Sequence, residues 1–244
     1  MTPDDARPAF YALAPGGWRD YVTLLHPPYT LWHLSYVAIG AALAPHWRPG
    51  VLALALLAFF LGMGVGAHAL DELHGRPLAT RIPSTTLVGL AVSSLAAAAG
   101  IGVAVALRTN LWLLAFVGVG AFIAVAYNLE LFGGRVHGDP WFALAWGAFP
   151  VLTAYFAAAE TIRIEAVCAA AFAALVSHAQ RRLSTPVRLV RRRTRAVTGT
   201  IDLLDGSALP ITADTLTAEA ERALQALSAA VVALALALVL LRVT

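Results

Sequence analysis

The sequence predicts an all-α, polytopic membrane bundle of about seven transmembrane helices, and three observations carry that prediction. The 244-residue chain is 59% hydrophobic and 13% charged, whereas a soluble domain is about half apolar and about a quarter charged. Its apolar residues fall in charge-poor blocks close to the roughly 20 residues that a helix needs to cross hydrocarbon. Its arginines gather in alternate connections between those blocks.

The whole chain, 1–244, reads as a single membrane domain that opens with a hydrophilic segment, 1–27. Ala42-Leu43-Ala44 resembles a signal-cleavage site, but the preceding region sets Asp4, Asp5 and Asp20 against only Arg7 and Arg19. That is the wrong charge for an export signal, so the first span, 28–46, is expected to be retained. The second, 49–70, contains the helix-forming run Leu52-Ala-Leu-Ala-Leu-Leu-Ala-Phe-Phe, and no block shows the alternation of a barrel strand. Further spans are expected at 84–107, 110–129, 140–159 and 163–180, and the last at 223–241. Thr217, Glu219 and Glu221 place favourable charge near the start of that last helix.

Small residues inside the blocks allow close helix approach, and Gly62, Gly64, Gly66, Gly118 and Gly120 have no strand before them, so they are packing glycines rather than nucleotide turns. The single Cys168 lies within a span and excludes a disulfide framework.

Seven spans divide the connections between two sides. Only Arg48, Arg108, Arg163 and Arg242 fall on the side of the short turns and the C-terminus; every other one of the seventeen arginines falls with the N-terminus. The positive-inside rule then places the N-terminus in the cytoplasm and the C-terminus outside, in a bacterial inner membrane. Trp18, Tyr21, Tyr29, Trp32, Trp112 and Trp141 suit the interfacial aromatic belt. The cytoplasmic loop 181–222 carries five arginines between Arg188 and Arg195, read as an anchor on anionic membrane lipids across 181–195. The run lacks aromatic interleaving, which argues against nucleic acid.

The inner loops also hold the chemistry-bearing side chains. In Gly66-Ala-His68-Ala-Leu-Asp71-Glu72-Leu-His74-Gly75-Arg76-Pro77, His68, Asp71 and Glu72 share one helical face, a half-site for a metal or an acid/base pair. Ionisable groups at a membrane span are costly unless paired or functional. His74 and His137 read as loop surface, and Asp202 and Asp205 as turn residues that could alternatively serve as displaced acidic ligands.

This stretch resembles the aspartate-rich motif of the UbiA superfamily of intramembrane aromatic prenyltransferases, N-D-x-x-D-x-x-x-D at the inner end of the second helix. Ala67, His68, Asp71 and Gly75 stand at its four positions, so Asp71 alone matches. Tyr21 to Ala44, with Leu25-His-Pro-Pro, is similar to the family's opening helix. Ala126-Tyr127-Asn128 through Gly138-Asp139-Pro-Trp to Ala154-Tyr155 is similar to the fourth and fifth helices of its menaquinone-pathway branch. The likeness spans about 20–180, but family members have nine helices, and the second motif, D-x-x-x-D, falls on Ser177–Pro186, which has no carboxylate.

The resemblance implies an isoprenoid or related lipid as substrate, prenyltransferase chemistry, and Mg2+ held by Asp71 with Glu72 and His68 as the catalytic group. Tyr127 and Asn128 read either as a substrate-binding pair that orients a headgroup or as an interfacial tyrosine with an asparagine cap. Three explanations fit the missing aspartates: Arg76, Arg181 and Arg182 hold phosphate in place of metal; His68, Asp71, Glu72, His74 and His178 bind zinc or iron; or the bundle binds lipid without catalysis.

Overall fold

A computed structural model describes residues 7–244. The described residues form eight helices and one hairpin: α1 (Trp18–Leu24), α2 (Pro27–Leu43), α3 (Pro49–Leu73), α4 (Ser84–Ala106), α5 (Leu113–Asn128), α6 (Asp139–Ala159), α7 (Ile164–Arg193), β1 (Thr200–Asp202), β2 (Ala208–Pro210) and α8 (Ala213–Val243). The chain is all-α apart from that hairpin.

Local chemistry sets the helix ends. Proline in the first turn of α2, α3 and α6 supplies a helical φ where no N–H partner is needed. Reciprocal bonds between Thr212 and Thr215 cap α8. At the far end of α8, Arg242 donates to the carbonyls of Ala42 and Ala44, closing the open C-terminus of α2.

Among the described residues four helices are long and apolar enough to cross a membrane: α3, α4, α6 and α8. The remaining expected spans also lie on helices, but α2 and α5 have 17 and 16 residues, and the 30-residue α7 ends in a charged half. Two-thirds of the apolar stretch of α6 is buried, 67%, against 17% in α4 and 22% in α8, so α6 is a core helix and the others face outward. Val92 on α4, Leu107 just past its end, Phe122 on α5 and Leu241 on α8 stand exposed, an arrangement suited to hydrocarbon rather than water.

The core is built around α2, which packs against α6 and α8, while α7 lies against both of them. Trp32, Tyr36 and Ile39 meet Val151, Ala173 and Val231 there. Small residues set the spacing: a Cβ on Gly40 would stand 2.2 Å from the Val151 carbonyl oxygen, and one on Gly147 would stand 2.5 Å from that of Ala173. On the other side α3, α4 and α5 form a second wall, with Leu70, Leu87 and Ala91 in its core.

Two of these helices are locally widened into π turns, α3 over Phe60–Ala67 and α6 over Ala143–Ala148. Such turns displace backbone carbonyls from the ordinary ladder and recur at functional sites. Here the carbonyls of Gly64 and Trp146, one from each π turn, accept hydrogen bonds from histidine rings.

Candidate functional site

The polar residues converge at the arginine-rich end of the bundle, where α2 begins, α3 and α5 end and α7 emerges. An aromatic group forms one wall. Tyr127 at the end of α5 lies 4.3 Å from the His137 ring and 4.5 Å from Trp146, and Phe142 stacks on Trp146. Arg181 closes this wall: its Nε donates to Asp139 at 3.0 Å, a second nitrogen donates to the Tyr127 hydroxyl at 2.7 Å, and its guanidinium sits 5.3 Å above Phe142.

A histidine pair forms another part of the mouth. His26, just before Pro27, adopts a left-handed backbone with φ 46° and stacks on His68 with ring centroids 4.2 Å apart. His68 Nδ1 donates to the Gly64 carbonyl at 3.0 Å, and the buried His33 donates through Nδ1 to Trp146 at 2.8 Å. A carbonyl can only accept, so both rings carry the proton on Nδ1. His26 shares a 2.8 Å hydrogen bond with the Tyr11 hydroxyl, while its Nε2 is buried without a partner. Burial first, then the neighbouring His68 and arginines, hold the His26 imidazole well below its usual range, so it is neutral at physiological pH.

Near these groups is Asp71, whose carboxylate makes no hydrogen bond to another described residue. The charges acting on it are Arg192, His137, Arg188 and its neighbour Glu72. Arg188 and Arg192 form no ion pair with a carboxylate among the described residues. Burial, followed by Arg181 and Arg192, lowers the pKa of Arg188, yet a guanidinium stays charged at any physiological pH. A half-buried cation beside two others is short of an anion.

The structure corrects several sequence expectations. Glu72 is fully buried and turned into the 74–83 loop, where it accepts from the backbone N–H groups of Leu78 and Thr80 and from the Thr80 hydroxyl at 2.8–2.9 Å. Three donors saturate it, so it stands as a loop anchor and not beside Asp71. Arg76 is likewise committed, donating to the Ile82 carbonyl at 2.6 Å and to Ser84 at 2.7 Å, which leaves no free fork for phosphate. His178 and Arg182 are exposed on the outer side of α7, while Ser177 and Gln180 face the core.

Asn128 bonds back to the Ala124 carbonyl at 2.7 Å, as a helix-end amide. Asp202 and Asp205 sit on the exposed hairpin, and Ser207 caps Asp205 there. His137 is drawn into the aromatic wall by its bond to the Tyr127 carbonyl, rather than lying on the loop surface. Of the expected site residues, His68, Asp71, Tyr127 and Arg181 are the ones gathered at the mouth.

Tyr11, His26, His33, Phe142, Trp146, Arg188 and Arg192 join them without having been singled out as site residues. For the arginines a signal existed: 181, 188 and 192 fall on one helical stripe with buried Ser177, Ser184 and Val187. For Tyr11 and His26 the sequence carried no such mark.

Below the mouth, a partly open cavity of about 150 Å3 runs between α3, α4, α5 and α6. Phe59, Met63, Leu95, Phe116, Trp146 and Phe149 are among its walls, which are almost wholly apolar. Met63, Ala67 and Trp146 also pack with Tyr127, so the floor of the polar mouth is the roof of the apolar cavity.

The fit of a divalent cation can be read from the donors. No three His, Cys, Asp or Glu side chains converge on a point among the described residues. Among the described residues Asp71 is the one unengaged carboxylate at the mouth, and the charges of Arg188 and Arg192 act on it, a surrounding that repels a cation. The arrangement resembles neither the two-magnesium site implied by the family pattern nor a histidine-rich zinc or iron site.

Comparison of the chain with family models, curated proteins and solved structures returned no match.

Proposed function

We propose that this chain is an integral membrane protein that binds an isoprenoid or related lipid, its apolar chain in the cavity and its anionic head among the arginines of the mouth. The observation that carries this reading is the shared wall of Met63, Ala67 and Trp146, with the apolar cavity on one side and the cation-bearing mouth on the other. A lipid phosphate fits such a pair of compartments: burial of its chain drives binding, and Arg188 and Arg192 meet its charge.

In this reading all seven apolar helices cross the bilayer, with the N-terminus and the arginine-rich end in the cytoplasm and the C-terminus outside. The arginine count on each side supports that orientation. The outer arginines of 181–195 then rest on anionic headgroups.

The enzymatic form of the proposal is a divergent UbiA-like transferase acting on the bound isoprenoid. Its support is the pattern around Asp71 and Tyr127. The second form is a lipid-binding protein without catalysis, and the engagement of Glu72 with its own loop favours it, since one free carboxylate remains at the mouth among the described residues.

Thermal stability of the purified protein with farnesyl diphosphate, farnesyl phosphate and farnesol tests the reading. The phosphorylated lipids are expected to raise Tm and farnesol to raise it less, with Arg188→Gln cutting affinity for the phosphates about tenfold and leaving farnesol unchanged. Equal shifts with all three lipids, or none, refute the anionic-head reading. Transfer of the prenyl group to an aromatic acceptor separates the enzyme from the carrier.

A further inference from the structure

Residues 7–17, before α1, form neither helix nor strand, yet they are tied to the arginine-rich mouth by two bonds and to α1 by two more. Arg192 Nε donates to the Pro8 carbonyl at 3.1 Å, and the Tyr11 hydroxyl bonds His26 Nδ1 at 2.8 Å. Closer to α1, Leu13 N–H donates to Thr23 at 3.0 Å and Gly16 N–H donates to Asp20 at 2.9 Å. The two groups of bonds differ in reach: the first joins the segment to α7 and to the start of α2, the second only to the helix that follows it.

The segment also seals the space beneath it. Ala9 and Ala12 are buried, at 8% and 1% exposure, and the Tyr11 ring stands edge-on to Phe10 and Tyr29. Tyr11 lies within the field of Asp71, Arg188 and Arg192, so its hydroxyl sits among the charges of the proposed head site.

Three features make the closed position exchangeable. At the base, Gly16 and Gly17 both have positive φ, 124° and 61°, after Pro15, and no atom lies within 4 Å of a Cβ placed on either. Such a pair is a hinge, because glycine crosses between φ wells at little cost. Arg192, which has no carboxylate partner among the described residues, spends its Nε on a neutral carbonyl, a weaker bond than a guanidinium makes with an anion. His26 holds a left-handed backbone and leaves a buried ring nitrogen without a partner, so closure keeps one polar group unsatisfied.

We propose that Pro8–Pro15 is a hinged lid over the arginine-rich mouth, latched to the mouth by the Tyr11–His26 and Arg192–Pro8 bonds and to α1 by the Leu13–Thr23 bond, and turning at Gly16–Gly17, which opens to admit a ligand to Asp71 and Arg188. That a ligand enters there rests on the lipid reading above; that the segment opens does not.

The single native cysteine makes the opening measurable. In a Cys168→Ala background, Ala12→Cys places a thiol on the lid itself at a position buried while it is closed, and the rate of its modification by a bulky water-soluble maleimide reports opening. Tyr11→Phe removes only the latch hydroxyl and is expected to raise that rate about fivefold, the effect of one hydrogen bond of ordinary net strength. Tyr21→Phe, an exposed tyrosine on α1, leaves it unchanged. Ala9→Cys serves as the second reporter if Ala12→Cys does not fold, and Tm of each variant close to that of its parent shows that the labelling is local.

Tyr11→Phe is also expected to raise the association rate of farnesyl phosphate by the same factor. Faster labelling without any binding of farnesyl phosphate upholds the lid and overturns the lipid reading. Labelling rates that Tyr11→Phe leaves unchanged at both reporters overturn the lid, whatever the lipid does.

Discussion

Glu72→Ala distinguishes an anchor from a catalyst. Glu72 is fully buried, and its two oxygens receive three donors: Leu78 N–H at 2.9 Å, and the N–H and hydroxyl of Thr80, both at 2.8 Å. Removing the carboxylate strands all three in a site where Leu78 and Thr80 are themselves buried. Each orphaned donor costs about 1–3 kcal/mol, and water reaching the loosened loop recovers part of that, so the loss is about 3–6 kcal/mol. In a chain of this size such a loss lowers Tm by on the order of 10 °C. Glu72→Gln keeps the oxygen that serves Thr80 but turns an amide toward Leu78 N–H, one bond lost and one donor facing another. Its cost is about 1–2 kcal/mol, so the two variants should form a graded series. Circular-dichroism melts in detergent measure the series, with binding of farnesyl phosphate measured at a temperature where each variant is folded. The anchor account requires lost stability with near-parental affinity. An alanine variant that melts with the parent but no longer binds lipid refutes it and returns Glu72 to the site.

Gly40→Ala should weaken the α2–α6 contact, because the added Cβ falls 2.2 Å from the Val151 carbonyl oxygen and forces the helices apart; a loss of about 1–3 kcal/mol is expected in the same melts, and parental stability contradicts the close approach. His178→Ala, at an exposed position on α7, should change stability by no more than about 0.5 kcal/mol and leave lipid binding intact, where a ligand role predicts loss of binding. The Asp205 carboxyl is held below its ordinary range by hydrogen bonds from the Ser207 hydroxyl and backbone. Since the folded value is the depressed one, the turn is intact above the ordinary carboxyl range and loosens as pH falls through the lowered value. The Ser207 amide resonance should therefore titrate below the ordinary midpoint, and a midpoint within the usual range counts against the turn.

Periodicity and composition made the helices legible. The blocks 49–70, 84–107 and 140–159 reappear as α3, α4 and α6 with ends shifted by no more than a few residues, because a charge-free apolar run has few alternatives to a helix. The candidate site was legible only in part. His68 and Asp71 lie where spacing placed them, at one end of α3, and Tyr127 and Arg181 meet as a pair. Glu72 shares the helical face of His68 and Asp71 by spacing, yet a side chain one residue on from Asp71 turns to the loop that offers it three donors. Spacing reports the direction in which a Cβ leaves the helix; it carries no record of which distant backbone groups will be left without acceptors.

The sequence by itself determined the solvent of this protein, its helical class and the end of the bundle where charge collects, since these follow from local composition and from the cost of unpaired backbone in hydrocarbon. Only the tertiary structure decided which arginines face inward, that Tyr11 closes over His26, and that an apolar cavity lies directly beneath a cationic mouth. Those facts depend on contacts between residues far apart in the chain, such as Arg192 with Pro8 and Arg181 with Tyr127, and no periodicity encodes a contact of that separation.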